Sequence, residues 1–493
     1  MVSAIVFLPL LGAVLIGAAG RTPFLVRAIA LVTGIVDLLL CLVLFANFSR
    51  TAKNFQSVEL IDWIPALNIQ YLVGIDGLSM PLLLLTSLLG LVAVLASWNI
   101  TMRIREYFIW LLLLQTAVSG VFVSLDLILF FLFWELELIP MFMLISIWGT
   151  GRREYSAMKF LTYTLFGSAF MLAAILTLYF SVPIADRTFD IRELMDQNLA
   201  ILLVPSSLVF IGFFIAFAIK LPVWPMHTWL PDAHTDAPTA VSVMLAGVLL
   251  KMGGYGLIRI NIGLFPDLVS TFAPFLAGLA TISVLYGAFA VFRQTDLKRL
   301  VAYSSVSHMG FVLLGVASVG AQGQNLTSVG LNGAALQLFT HGTITGLLFV
   351  VVGLIYDRAH TRYIPELGGL MRRIPIIGIG FIVAGLASLG LPSTSGFAAE
   401  LLIFLGAFSV FPWATALSAL GVVLAAGYIL WTVQRTFFGP SIDRYKDLQD
   451  ARLVDIASIA LLILPIMAVG VYPKIITGVF DPSVFSIISR IGG

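Results

Sequence analysis

The chain has 493 residues, 60% of them hydrophobic and 11% charged, with a formal net charge of +2. A soluble globular protein is about half apolar and about a quarter charged, so this composition excludes one. The near-neutral balance, without a basic block, excludes a nucleic-acid partner. The single cysteine, Cys41, excludes a disulfide within the chain and a cysteine-ligated cluster.

Apolar runs of about 20 residues, the length of a helical bilayer crossing, recur along the sequence. In chain order they predict fourteen spans, at 2–20, 25–46, 77–99, 107–125, 127–148, 154–180, 205–230, 239–263, 269–292, 300–320, 329–356, 374–407, 411–437 and 452–473. The first run, VSAIVFLPLLGAVLIGAAG, lacks the basic start of a cleaved signal and reads as a retained helix. GTGRRE makes a tight turn between the fifth and sixth spans. The longest polar connections, 47–76, 181–204 and 438–451, are too short to fold as separate domains, and no strands are expected. The fold class is an all-α polytopic membrane protein with one membrane domain, 1–493.

Most of the 27 Lys and Arg fall in odd-numbered connections, among them Arg21, Arg103, Arg105, Arg152, Arg153, Arg293, Lys298, Arg299, Arg372 and Arg373. By the positive-inside rule those connections are cytoplasmic and both termini lie on the opposite side. The seventh connection, LPDAHTDAPTA, is acidic instead. Within it Asp236 or Thr235, shortly before Pro238, reads as a helix cap. Its His227, Asp232 and His234 match no standard metal spacing.

Two spans are broken near mid-membrane, by KLPVWP at 220–225 and LGLPSTSG at 389–396. Backbone groups freed by such breaks persist only inside protein or beside a hydrated cavity. Paired interrupted helices about five spans apart are the trace of an internal repeat in transporters.

Ionisable residues stand inside the spans: Glu135, Lys220, Lys251 and Glu400, with His308 and His341 similarly deep. Four such charges cost on the order of 10 kcal/mol at roughly 2.5–3.5 kcal/mol each, a penalty that points to use. Desolvation brings lysine and carboxylate into titrating range, and histidine titrates near neutrality, so the row suits proton relay. Each member also has a structural reading. Lys220 could cap freed carbonyls at the break, Glu135 could pair structurally, and Glu400 could start a helix. His308 and His341 could be buried hydrogen-bonding histidines or, by count, haem ligands. Glu137 is two residues from Glu135, about 200° round the helix, so the two carboxylates cannot face one cavity and Glu137 is expected to meet a neighbouring span or subunit. Asp37 could pair with a nearby polar group. MGGYG at 252–256 lies inside a span and serves close packing.

FWELELIP, IKLPVWPMHTWLPDAHTDAPTAVSVMLAGVLLKMGGYG, DLKRLVAYSSVSHMG, the THG at 340–342 and ASLGLPSTSGFAAE carry a resemblance. They are similar to the antiporter-like membrane subunits of respiratory complex I and its photosynthetic relative, in their M-type (chain 4) branch. The likeness covers spans three to thirteen. It implies fourteen helices with two inverted five-helix repeats and broken helices 7 and 12. The chain then divides into helices 1–3 (1–106), the repeats 107–263 and 264–437, and a last helix and tail (438–493). It implies proton-translocating roles for Glu135, Lys220, Lys251 and Glu400, with His308 and His341 on the hydrated axis. Charge order and the two breaks lead, besides, to the expectation of a Glu135–Lys220 ion pair that switches. It also implies a subunit of a quinone oxidoreductase without cofactor or metal of its own. NAD(P)H or ferredoxin, iron–sulfur clusters and quinone would be served by partner membrane and hydrophilic subunits, in a bacterial inner membrane or a thylakoid. Ser393 stands where the family has glycine, and GFAAE departs from its GFVGE or GFVAE. A subunit of a multisubunit sodium/proton antiporter is the rival reading. A structural scaffold with degenerate channels is another.

Overall fold

Each predicted run is helical in the computed structural model, which describes all residues except Lys53, 198–202, 321–327 and 492–493. A bilayer offers backbone groups no partner, so a crossing segment must satisfy them internally. The chain opens with α1 (Val2–Ala19) and α2 (Pro23–Ala46), the latter started by Thr22, whose hydroxyl accepts from the Leu25 N–H, and by Pro23 in the first turn.

The first long connection corrects the expectation of a strand-free chain. It holds an antiparallel hairpin, β1 (Gln56–Ile64) and β2 (Ile69–Ile75), with Leu60 opposite Leu72 and Ile61 opposite Tyr71. Val58, Ile61, Trp63, Tyr71 and Val73 suit a pleated surface, while Pro65 and left-handed Asn68 (φ 53°) make the turn. A reading by 20-residue apolar runs passes over so short a signal.

Next come α3 (Ser79–Ala96), α4 (Ile104–Val123), and a span in two parts, α5 (Leu127–Leu136) and α6 (Leu138–Trp148). The interruption falls at Glu137, where Pro140 cannot donate to the Leu136 carbonyl. After α7 (Arg153–Ser181) and the short α8 (Ile191–Asp196), the seventh span is broken into α9 (Ser206–Lys220) and α10 (Trp229–Asp236). The eighth comprises α11 (Thr239–Met244), a π-helical turn at Leu245–Leu249, α12 (Leu250–Gly256) and a second π segment at Leu257–Ile262. Pro238 directly precedes α11 and Asp236 ends α10, so the expected cap on α11 is absent; Asp236 instead accepts from Ser156 at 2.6 Å.

The remainder is α13 (Pro266–Val291), α14 (Leu297–Ala317), α15 (Val329–Ala359), the broken pair α16 (Pro375–Ser388) and α17 (Ser395–Phe408), α18 (Pro412–Val433), α19 (Leu453–Val471) and α20 (Lys474–Ile488). The last is a correction too, since the sequence reading left this stretch as tail. Among the described residues twelve helices are long and apolar enough to cross a membrane, and the two broken pairs complete the predicted set.

Connections alternate between two ends. At one end Arg105 bonds the Gly17 carbonyl, Trp148 Nε1 the Met102 carbonyl (2.7 Å), Lys298 the Ala237 carbonyl (2.6 Å) and Arg452 the Asn99 side chain (2.9 Å). At the other, Asn68 bonds the Arg187 carbonyl (3.0 Å), Gly77 N–H the Ser483 hydroxyl (2.8 Å) and Arg490 the Met195 carbonyl (2.8 Å). The hairpin and α20 therefore belong to one end and the basic connections to the other. Between them the most apolar stretches of the eighth and eleventh spans are wholly buried and that of the tenth nearly so. These three carry Lys251, His341 and His308.

Candidate functional site

The first break is closed by side chains. Trp229 Nε1 donates to the Ile219 carbonyl at 2.9 Å, and the Trp224 N–H reaches Ser283 Oγ at 3.0 Å. Lys220, the last residue of α9, is thereby free of the capping duty considered for it. Its ammonium pairs with Glu137, and both side chains are buried. The rings of Trp134 and Phe160 lie 5.4 and 5.3 Å from the ammonium, a wall attractive to a cation and impermeable to water.

This pairing corrects the expected Glu135–Lys220 bridge. Helix geometry is the reason: residues two apart point to nearly opposite sides. Glu137, at the α5–α6 interruption, turns inward, whereas Glu135 is half-buried against α7, facing Ser168, with its Oε1 unbonded. The sequence reading kept Glu137 out of the cavity given to Glu135, yet it is Glu137 that meets Lys220.

Beyond the break, Gly253 lets α12 press onto α9, since a methyl there would lie 2.6 Å from the Leu221 backbone nitrogen. The expected packing role of MGGYG is thus visible. Lys251 stands on α12, wholly buried. Its Nζ bonds the Ala246 carbonyl of the π turn and lies 2.7 Å from His341 Nδ1. The His341 and His308 rings are 5.7 Å apart, centre to centre. His308 Nδ1 is 3.4 Å from Glu400 Oε1, and its Nε2 is 3.1 Å from Ser388 Oγ. A cavity of about 10 Å³, lined by His308, Gln337, His341, Ser388 and Glu400, has room for about one water. Lys251, His341, His308 and Glu400 therefore form a continuous buried row ending at the second break.

That break is shaped for Glu400. Gly390 has φ +77°, and a methyl on it would lie 2.7 Å from Glu400 Oε2. Ser393 takes φ 74°, a left-handed conformation that favours glycine.

Two histidines set aside in the sequence are buried, and one of them lies near this row. His234 of α10 is fully buried, stacked on Phe349 with ring centres 4.5 Å apart, close enough to Lys251 and Lys298 for their charges to bear on it, and neither nitrogen is bonded. His227 packs edge-on against Tyr286 at 4.9 Å. The missed signal was that the acidic connection folds back into the bundle. Asp37 lies apart from the row, bonded to Gln115.

The model of the family described as "NADH:quinone oxidoreductase/Mrp antiporter, TM" matches residues 124–425. The chain is 42% identical to NAD(P)H-quinone oxidoreductase chain 4 of Acaryochloris marina, over 94% of this chain and 87% of that one. Among solved structures it superposes on a chain of respiratory complex I from Thermus thermophilus, with TM-score 0.90 and 30% identity over the whole of both chains. A chain of the Mrp complex from Dietzia sp. shares the fold (TM-score 0.82, 21% identity, 100% of this chain and 99% of that one).

Proposed function

This chain belongs to the NADH:quinone oxidoreductase/Mrp antiporter membrane family, and from that premise we propose that it is the proton-translocating membrane subunit of a complex I-type quinone oxidoreductase. The observation that carries the reading is the buried row Lys251–His341–His308–Glu400, set behind a buried Lys220–Glu137 pair. The antiporter rival shares the fold alone at 21% identity, whereas the likeness to the quinone oxidoreductase chains rests on 42% and 30% identity.

Electron transfer takes place in partner subunits, which hold the iron–sulfur clusters and serve NAD(P)H or ferredoxin and quinone. A lateral charge change draws Glu137 from Lys220. Without its counter-charge the buried ammonium favours its neutral form and gives up a proton. That proton passes toward Lys251 and replaces the one held there, which moves through His341 and His308 to Glu400. Coupled titration of neighbouring groups makes the steps sequential. Glu135 lies at the outer side of the first break and feeds it.

The basic end faces the cytoplasm by the positive-inside rule, and both termini face the other side. The membrane is a bacterial inner membrane or a thylakoid. The repeats run over 107–263 and 264–437; in support, a broken helix is fourth of five in each.

The test is proton pumping by the assembled complex in vesicles. Lys220→Ala and Glu137→Gln each abolish it while Glu135→Gln weakens it; undiminished stoichiometry in the first two sinks the reading. Co-purification of iron–sulfur protein with the chain separates it from the antiporter rival.

A further inference from the structure

We propose that Asp37, Ser87 and Gln115 form a second proton-binding site, away from the central row. Asp37 lies in the middle of α2 and is fully buried. Gln115 of α4 donates to its Oδ2 at 2.8 Å, and Ser87 of α3 faces the same carboxyl. Asp37 Oδ1 and Ser87 Oγ are neighbouring buried oxygens, each without a hydrogen-bond partner. A methyl at Gly90 would collide with the Gln115 amide, so α3 keeps a notch open for it.

The surroundings hold no counter-charge. Helices α1 and α3 contain no charged residue. On α2 the other titratable groups are Cys41, one turn away, and Arg27, ten positions back, whose guanidinium bonds the Ile100 carbonyl. On α4 they are Arg105, Glu106 and Tyr107, eight or more positions before Gln115. Beyond α2, α19 carries Asp455 alone, paired with Arg358.

Three other buried acids face a basic side chain: Asp76 meets Arg259, Glu137 meets Lys220 and Glu400 meets His308. A bare carboxylate at this depth, with one amide, one hydroxyl and no counter-charge, is disfavoured, so the setting favours the protonated acid. Further unpartnered hydroxyls lie nearby on α4. Thr116 and Ser119 of α4, the latter one turn from Gln115, carry buried hydroxyls without partners, leading away from Asp37 along α4.

A purely structural hydrogen bond between helices would be served equally by asparagine; proton exchange would not. The experiment is pH-jump difference infrared spectroscopy of the native assembly in its membrane, comparing the original chain with Asp37→Asn. The expected result is a protonated-carboxyl C=O band that moves down in heavy water, titrates with pH, ignores exchange of sodium for choline, and is lost in D37N. Identical spectra at every pH overturn the proposal, as does a band that follows sodium at fixed pH. If D37N does not assemble, Ser87→Ala takes its place: a shifted band supports the site and an unmoved one overturns it. The readout is the protonation of Asp37 itself, so it stands or falls apart from the roles of Lys220 and Glu137.

Discussion

At the first break a lysine and a glutamate grip each other behind two aromatic rings, whereas at the second the ionisable groups are strung out, with His308 between Ser388 and Glu400 beside a cavity of about 10 Å³. The two breaks arise from similar sequence, an apolar helix interrupted by proline, yet they treat charge differently. A closed pair stores a charge and resists its removal. A row of titratable groups joined through a small polar space passes protons along. On the proposed reading, the first break holds charge and the row at the second conducts it.

The largest expected effect breaks the holding half. Lys220→Ala leaves the Glu137 carboxylate buried without a cation, at a cost of about 3–5 kcal/mol. Thermal unfolding of the assembled complex should show this as a lowered midpoint, and Glu137→Gln in the same background should recover most of it. If the double change is no better than K220A alone, the pair is not what stabilises the first break.

The conducting half is broken next by Gly390→Ala. The left-handed backbone there costs roughly 1–2 kcal/mol for an alanine, and the added methyl pushes against Glu400. Pumping should fall with assembly intact, while Ala at Gly278, which has nothing within 4 Å, should be silent. Equal behaviour of the two variants would deny that Glu400 needs its seat. Ser388→Ala is milder. It removes one partner of His308, about 0.5–1.5 kcal/mol, and should shift the pH profile of pumping without abolishing it. A profile superimposable on that of the original chain would remove Ser388 from the site.

Much of this contrast was readable from residue order, because length and apolarity dictate crossings and buried charges advertise themselves. Lys251, His308, His341 and Glu400 were all identified that way, and the structure brings them into one row. What sequence could not supply was direction. Glu135 and Glu137 differ by two positions, and only the α5–α6 interruption before Pro140 decides which one meets Lys220. His234 was weighed only as a metal ligand and set aside on its spacing, whereas here its connection is helical and buried. The hairpin at 56–75 was missed because period-two alternation over a few residues is drowned by long apolar runs.

The smallest effect sharpens the comparison at the second break. Ser393 holds φ 74° and is exposed, so its conformation carries a cost that glycine would not. Against this, glycine loses more freedom on folding, about 0.5–1 kcal/mol. Ser393→Gly should therefore raise the unfolding midpoint slightly, by the equivalent of up to about 1 kcal/mol. Its backbone carbonyl lies where a methyl on Gly470 of α19 would be, 2.3 Å away, so the segment is braced from outside and a looser residue should not displace Glu400. Pumping by S393G should then equal that of the original chain. If pumping falls while stability rises, stiffness at this one residue is part of how the conducting half works, and the two breaks are more alike than their charges suggest.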